Sequence, residues 1–305
     1  MEKQVIEDFS QKQDKTNAQK FYSASLNTIQ SALDDLINIE SGFVTLDENS
    51  TKVFPMGDYT NDTFIDENGE LEVVIASSNP QIIYANQVFI NNIKNARSKK
   101  QLKTINNDGT FDKIIIDFAG ALAEYYDNST VILLVNDGIK VFCNSEYNFK
   151  LLIRFATYSE NDPSAILTFW NPIQKNSHAS DLFLYNENME KKDEDTHGNY
   201  KKLVRIYKNI RKNILMNKMA SNNSINKYFI ELIIFNVPNE LITDNDIYAA
   251  FVKSVNYLTN CDVSQFTSFD GNKIESFSLA NISHMNIRNF TFGTVSSYCV
   301  TAGPI

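Results

Sequence analysis

The chain has 305 residues, 43% hydrophobic and 21% charged, which suits a soluble globular protein with one large core or two lobes. Its formal net charge of −9 excludes a global field drawing it to nucleic acid or an anionic membrane. Three scattered cysteines without a CxxC pair, and three histidines without metal-ligand spacing, exclude a disulfide framework and a zinc site. The polar start MEKQVIEDFSQKQDK lacks the apolar run of a signal peptide, and no apolar window is long enough to span a bilayer. These features predict a reduced, cytoplasmic protein.

Residues 1–20 are polar and read as helical. From Ala18 to Ile39, Phe21, Leu26, Ile29, Leu33, Leu36 and Ile37 recur at helical spacing, predicting a long amphipathic helix. Gly42 and the run Asp47 to Thr51 end it. The stretch Val53 to Ala76 follows: a short apolar run to Gly57, a polar turn, and a strand from Leu71 to Ala76. Glu70 and Glu72 stand at i and i+2, so on a strand they face one way. Two such acids are what a pair of divalent cations needs. Read alone, the same window is also a polar loop leading into an edge strand with two solvated glutamates.

Residues 81–104 read as a second helix ending in the basic ARSKKQLK, Asn106 to Gly109 as a turn, and Phe111 to Tyr126 as a third helix. Val131 to Val135 and Ile139 to Cys143 form a hairpin around Asn136-Asp137-Gly138, and Asn148 to Tyr158 is a further strand. Beyond the break Ser159 to Pro163, the charged run Asn186 to Asn199 reads as an exposed loop. Tyr200 to Lys218 is a basic helix with Lys201, Arg205, Lys208 and Lys212 on one face, an arrangement that is usually solvated. Asn226 to Asn236 is a buried helix stopped by Pro238, and Asp244 to Leu258 is another helix. The segment 262–305 has weak periodicity and no assignment. The expected class is α+β, with a mixed sheet flanked by helices in residues 1–160 and a mainly helical lobe in 161–305.

Gly57 leading a turn, acids on the next strand and a basic helix are the parts that cradle phosphates, hold bridging metal ions and add countercharge. Three blocks carry a family resemblance. VFPMGDYTNDTFI followed by ELEVVIA resembles a Gly-Ser turn, a Thr-containing helix start and an acid-x-acid strand. YKKLVRIYKNIRKN resembles an Arg-x-x-Lys helix, matched by Arg205 and Lys208. YFIELIIFNVP, with Tyr228, Glu231 and Asn236-Val237-Pro238, resembles a Tyr-aliphatic-aliphatic-Glu helix ending in Asn-Val-Pro. Over residues 18 to 240 the chain resembles the CD-NTases, bacterial relatives of cyclic GMP–AMP synthase in the DNA polymerase β-like nucleotidyltransferase superfamily. The resemblance implies a polymerase β-like lobe, a role in antiphage second-messenger signalling and a protein partner from a defence operon. It implies nucleoside triphosphates as ligand or substrate, and Mg²⁺ or Mn²⁺ held by Glu70 and Glu72. Gly57, the residue at 58, Thr60, Arg205 and Lys208 would face the phosphates.

The sequence departs from that pattern at three points. Asp58 stands where the family has serine, putting an acceptor-only carboxylate where a hydroxyl would donate to a phosphate. Glu72 is one methylene longer than the usual second aspartate, and catalysis is sensitive to misplacement of about 1 Å. Lys150 stands where the third metal-binding acid belongs, so its ammonium is expected beside Glu70 and Glu72, in place of a cation. Glu146 lies four residues upstream, on the same face if the strand continues that far, and is a candidate to stand in for that acid. The departures favour weak or lost nucleotidyl transfer; the alternative is an active enzyme using Glu70 and Glu72.

Overall fold

Two mostly apolar runs, ELEVVIAS and KLLIRFAT, lie side by side at the centre of a seven-stranded sheet. The computed structural model describes residues 3–38, 44–45, 51–65, 70–78, 81–82, 110–127, 129–143, 150–158, 167–174, 176–180, 182–216 and 227–269. The chain forms two compact units, a sheet unit of Asp14–Thr60 and Asp66–Leu182, and a helical unit of Met1–Gln13, Asn61–Ile65 and Phe183–Ile305.

In the sheet unit, α2 (Thr16–Asn38) precedes β1 (Val44–Thr45), β2 (Thr51–Met56), β3 (Glu70–Ser77) and β4 (Gln81–Ile82). Next come α3 (Thr110–Tyr125), β5 (Val131–Val135), β6 (Gly138–Phe142), β7 (Lys150–Thr157), β8 (Leu167–Asn171) and β9 (Asn176–Ser180). The main sheet runs β2-β3-β7-β6-β5, and β8 pairs with β7 and β9. Among the described strands only β3 and β7 pair in parallel, with Glu70 opposite Lys150 and Glu72 opposite Leu152. Strand alternation then sorts the side chains. Leu71, Val73 and Ile75 share one face with Leu151, Ile153, Phe155, Ile139 and Val141, all at most 3% exposed. Each contributes about 1.5–3 kcal/mol by leaving water. Helix α3 lies against this face, Phe118 meeting Phe155 edge-on at 5.6 Å, and Tyr125 ties α3 to α2 through Asp35 at 2.6 Å. The other face carries Glu70, Glu72, Lys150, Arg154 and Lys140.

The helical unit contains α1 (Lys3–Ser10), α4 (Leu182–Asp195), α5 (Asn199–Met216), α6 (Lys227–Phe235), α7 (Asn239–Ile242) and α8 (Ile247–Asn260). Asp246 caps α8 by accepting from Tyr248 N at 3.0 Å, as a helix start requires. Lys192 of α4 donates to Val237 O at 2.6 Å and lies 5.7 Å from the Phe235 ring. Burial, partly opposed by Glu240 and Asp195, lowers its pKa from 10.5 to about 8. Its folded pKa is below the unfolded one, so the unfolded chain holds the extra proton between about 8 and 10.5 and stability rises with pH across that window. Lysine-selective NMR titration should show a midpoint near 8, and Lys192→Met should lose the gain in unfolding free energy between about pH 8 and 10.5. A midpoint near 10.5 would contradict this placement.

Several expectations are corrected. The N-terminal 20 residues are not one helix: the chain breaks after Ser10 and restarts where Asp14 Oδ1 accepts from Thr16 N at 2.9 Å. Strand β3 is interior, not an edge, because β2 and β7 both pair with it. Gln81 and Ile82 form a short strand with Thr45 and Val44; the remainder of the expected 81–104 helix, and the 106–109 turn, lie outside the described residues. The run 186–199 is helical through Asp195, then turns with His197 at φ 54° and Gly198 at φ 79°. Its buried positions, Met189, Thr196 and Asn199, are few and hidden among charged residues that are themselves good helix formers. The sheet unit extends past residue 160 to Leu182, because β8 and β9 continue the sheet.

Candidate functional site

The site begins where β2 ends. Gly57 has φ +77°, which opens a 3₁₀ turn over Gly57–Tyr59. A Cβ there would stand 3.1 Å from Glu72 Cδ and Oε1, so glycine serves both the left-handed backbone and the close approach of the carboxylate. Thr60 closes the turn, its N–H and hydroxyl donating to Gly57 O at 3.1 and 2.8 Å. Tyr59 stacks on Tyr22 of α2 at 5.4 Å, while Lys15 sits over the Tyr59 ring and donates to Tyr59 O. The long helix therefore braces the turn. Asp58 is half-buried in its first turn.

Glu70 and Glu72 share a sheet face, as the spacing predicts, and each has a protein cation. Lys140 reaches across β7 to Glu70, and Arg154 Nε lies 3.3 Å from Glu72 Oε2, close enough for an ion pair but without hydrogen-bond alignment. The four side chains are 22–27% exposed. Lys150 stands opposite Glu70 in the register, but the expectation that it pairs with the acids is corrected. Its side chain is exposed and its ammonium lies 5.9 Å from the Phe142 ring, because Lys140 already occupies Glu70.

This donor set does not fit a metal pair. Hard divalent ions need several anionic or carbonyl oxygens. The face of β7 beside the acids presents Lys150, Leu152 and Arg154, with no carboxylate. Among the described residues no group of three or more His, Cys, Asp or Glu side chains could hold an ion. Glu146 lies outside them.

Arg205 and Lys208 lie in the helical unit, and their helix face is not solvated: Arg205 is 3% and Lys208 1% exposed. Arg205 donates to Ser10 O at 2.7 Å and Asp62 O at 2.6 Å, and burial lowers its pKa. Lys208 Nζ donates to Glu231 Oε1 at 2.6 Å and to Thr63 Oγ1 at 2.9 Å. Glu231 also accepts from Thr63 Oγ1 at 2.7 Å and Tyr185 OH at 2.5 Å. Burial, with Glu231 alongside, pushes the Tyr185 phenol well up. Lys201 pairs with Glu190 at 2.5 Å.

Sequence reasoning missed Lys140 and Arg154. The signal was present in alternation: Ile139 and Val141 point to the core, so Lys140 must point to the acid face, and Arg154 shares the parity of Lys150.

Residues 187–288 match the family described as the cGAS/DncV-like nucleotidyltransferase C-terminal helical domain. A cyclic UMP-AMP synthase of Rhodothermus marinus is 27% identical over 229 residues, 72% of this chain and 74% of that protein. The cyclic nucleotide synthase CdnE01 of Staphylococcus haemolyticus is 22% identical over 244 residues, covering 73% and 75%. The fold is similar to the structure of Rhodothermus marinus CdnE c-UMP-AMP synthase with Apcpp and Upnpp, with TM-score 0.65 and 20% identity over 100% of both chains.

Proposed function

We propose that this chain, a member of the CD-NTase family of cGAS/DncV-like nucleotidyltransferases, serves cyclic-oligonucleotide signalling as a nucleotide-binding relative with weak or lost nucleotidyl transfer. One observation carries the reading. Both acids of the acid-x-acid strand are held by protein cations, Lys140 on Glu70 and Arg154 on Glu72, while the neighbouring strand offers Lys150 where a third acid belongs. The turn of Gly57, Asp58 and Thr60 is the segment facing the nucleotide, and Arg205 and Lys208 act by holding the helical unit together. The place of action is antiphage defence in the cytoplasm, with a protein partner from the same operon. No helix among the described residues is long and apolar enough to cross a membrane.

A second reading is an active enzyme that uses Mg²⁺ or Mn²⁺ at Glu70 and Glu72 to join nucleoside triphosphates. It draws on Gly57, which keeps its left-handed turn against Glu72. Incubation with four labelled nucleoside triphosphates and either metal, following pyrophosphate, separates the two. The expected result is release no greater than that of Glu70→Gln. Product that disappears in Glu70→Gln would establish the active reading instead.

A further inference from the structure

The misfit between a metal pair and this sheet face has a consequence for recognition. Among the described residues six charged side chains share the face: Glu70 and Glu72 against Lys52, Lys140, Lys150 and Arg154, four cations to two carboxylates. A divalent ion approaching the acids meets Lys140 and Arg154 already seated on them, and is repelled by both. A polyanion meets the opposite field. Lys150 is exposed, and its ammonium lies 5.9 Å from the Phe142 ring, which orients it without neutralising it. Arg154 likewise has its Nε off the axis of a hydrogen bond to Glu72 and its guanidinium 5.9 Å from the Phe169 ring.

We infer that this face binds the phosphates of a nucleoside triphosphate without a divalent cation, Lys150 supplying the direct contact and Lys140 and Arg154 standing where the metals of an active site would. The inference rests on the nucleotide-binding reading above and goes further by stating how the triphosphate is held. Phosphate oxygens would accept from the Lys150 ammonium, and the internal pairs would remove the repulsion that bare glutamates would exert on them.

The experiment is equilibrium binding of labelled ATP, GTP, CTP and UTP to the full chain, in EDTA and in Mg²⁺. At least one nucleotide is expected to bind in EDTA at least as tightly as in Mg²⁺. Lys150→Ala, an exposed position, should weaken that binding about tenfold, the size of one charge-assisted contact. Glu70→Gln/Glu72→Gln should tighten it about tenfold by freeing Lys140 and Arg154, whereas a metal-dependent site would lose binding in the same variant. Circular dichroism confirms that each variant is folded. Binding that requires Mg²⁺, is unchanged in Lys150→Ala, is lost in Glu70→Gln/Glu72→Gln, or is absent for all four nucleotides overturns the inference. Metal-dependent binding without turnover would sink only this inference, whereas Glu70-dependent pyrophosphate release would sink the proposed function itself.

Discussion

Lys208→Met will destabilise the protein by about 3–5 kcal/mol, the range for removing one partner of a buried ion pair. Lys208 and Glu231 have side chains 0% and 2% exposed and meet at 2.6 Å. Taking both charges out of water is costly, and their attraction offsets that cost only while they remain together. Without the ammonium, Glu231 keeps donors in Thr63 and Tyr185 but no countercharge. Thr63 loses a partner as well. Methionine keeps the volume and the unbranched shape, so the loss reports charge rather than a cavity. Lys208→Met/Glu231→Gln should recover much of it, because a neutral amide needs no countercharge: its oxygen accepts from one of the two hydroxyls and its NH2 donates to the oxygen of the other. Urea unfolding of the three variants makes the measurement. A single-variant loss under about 1 kcal/mol would mean the pair is solvated, as exposed pairs are.

Gly138→Ala is expected to cost about 3 kcal/mol or more. Gly138 has φ +137°, and a Cβ on it would stand 2.0 Å from Ile153 O and 3.2 Å from Arg154 Cα. Those are backbone atoms of the neighbouring strand and cannot swing aside, so β6 and β7 must separate. The same two strands carry Lys140 and Arg154, so the variant should also loosen the pairs on Glu70 and Glu72. Asp137→Ala, one residue earlier and exposed, should change stability by no more than about 0.5 kcal/mol. Equal effects at the two positions would show that the turn, and not the strand contact, sets the requirement for glycine.

Gly138 also shows how far the sequence could be read. Asn-Asp-Gly marks a hairpin correctly, but the pairing of Val135 with Gly138 leaves only Asn136 and Asp137 in the loop. The glycine is needed because another strand passes close behind it, which a local signal does not reveal. Elements with strong apolar periodicity, such as α2, α3, β3, β7 and α5, were legible because burial of one face or both leaves a pattern in neighbouring residues. Helix α4 was not, since its buried positions, Tyr185 and Met189, are few and lie among glutamates and lysines. The acid pair and its shared direction were legible from spacing alone. The identity of its counterions was not, because Lys140 and Glu70 are brought together by strand order, with β7 lying between them. Burial of the basic face of α5 was hidden for the same reason: the carbonyls and carboxylate that satisfy it come from distant parts of the chain.

That distance bears on synthesis. Arg205 donates to the carbonyl of Ser10, 195 residues earlier in the chain. At about 5–20 residues per second, α1 emerges from the ribosome roughly 10–40 s before the arginine that holds its end. Asn61 to Ile65 must likewise wait for Tyr185, Lys208 and Glu231. Every described strand of the sheet unit has been made once Ser180 is added, whereas the helical unit cannot close until α5 and α6 follow. A translation pause shortly after β9 would therefore lengthen the time that α1 and the 61–65 segment spend without partners, and a chaperone that shields the nascent helical unit would act in that interval.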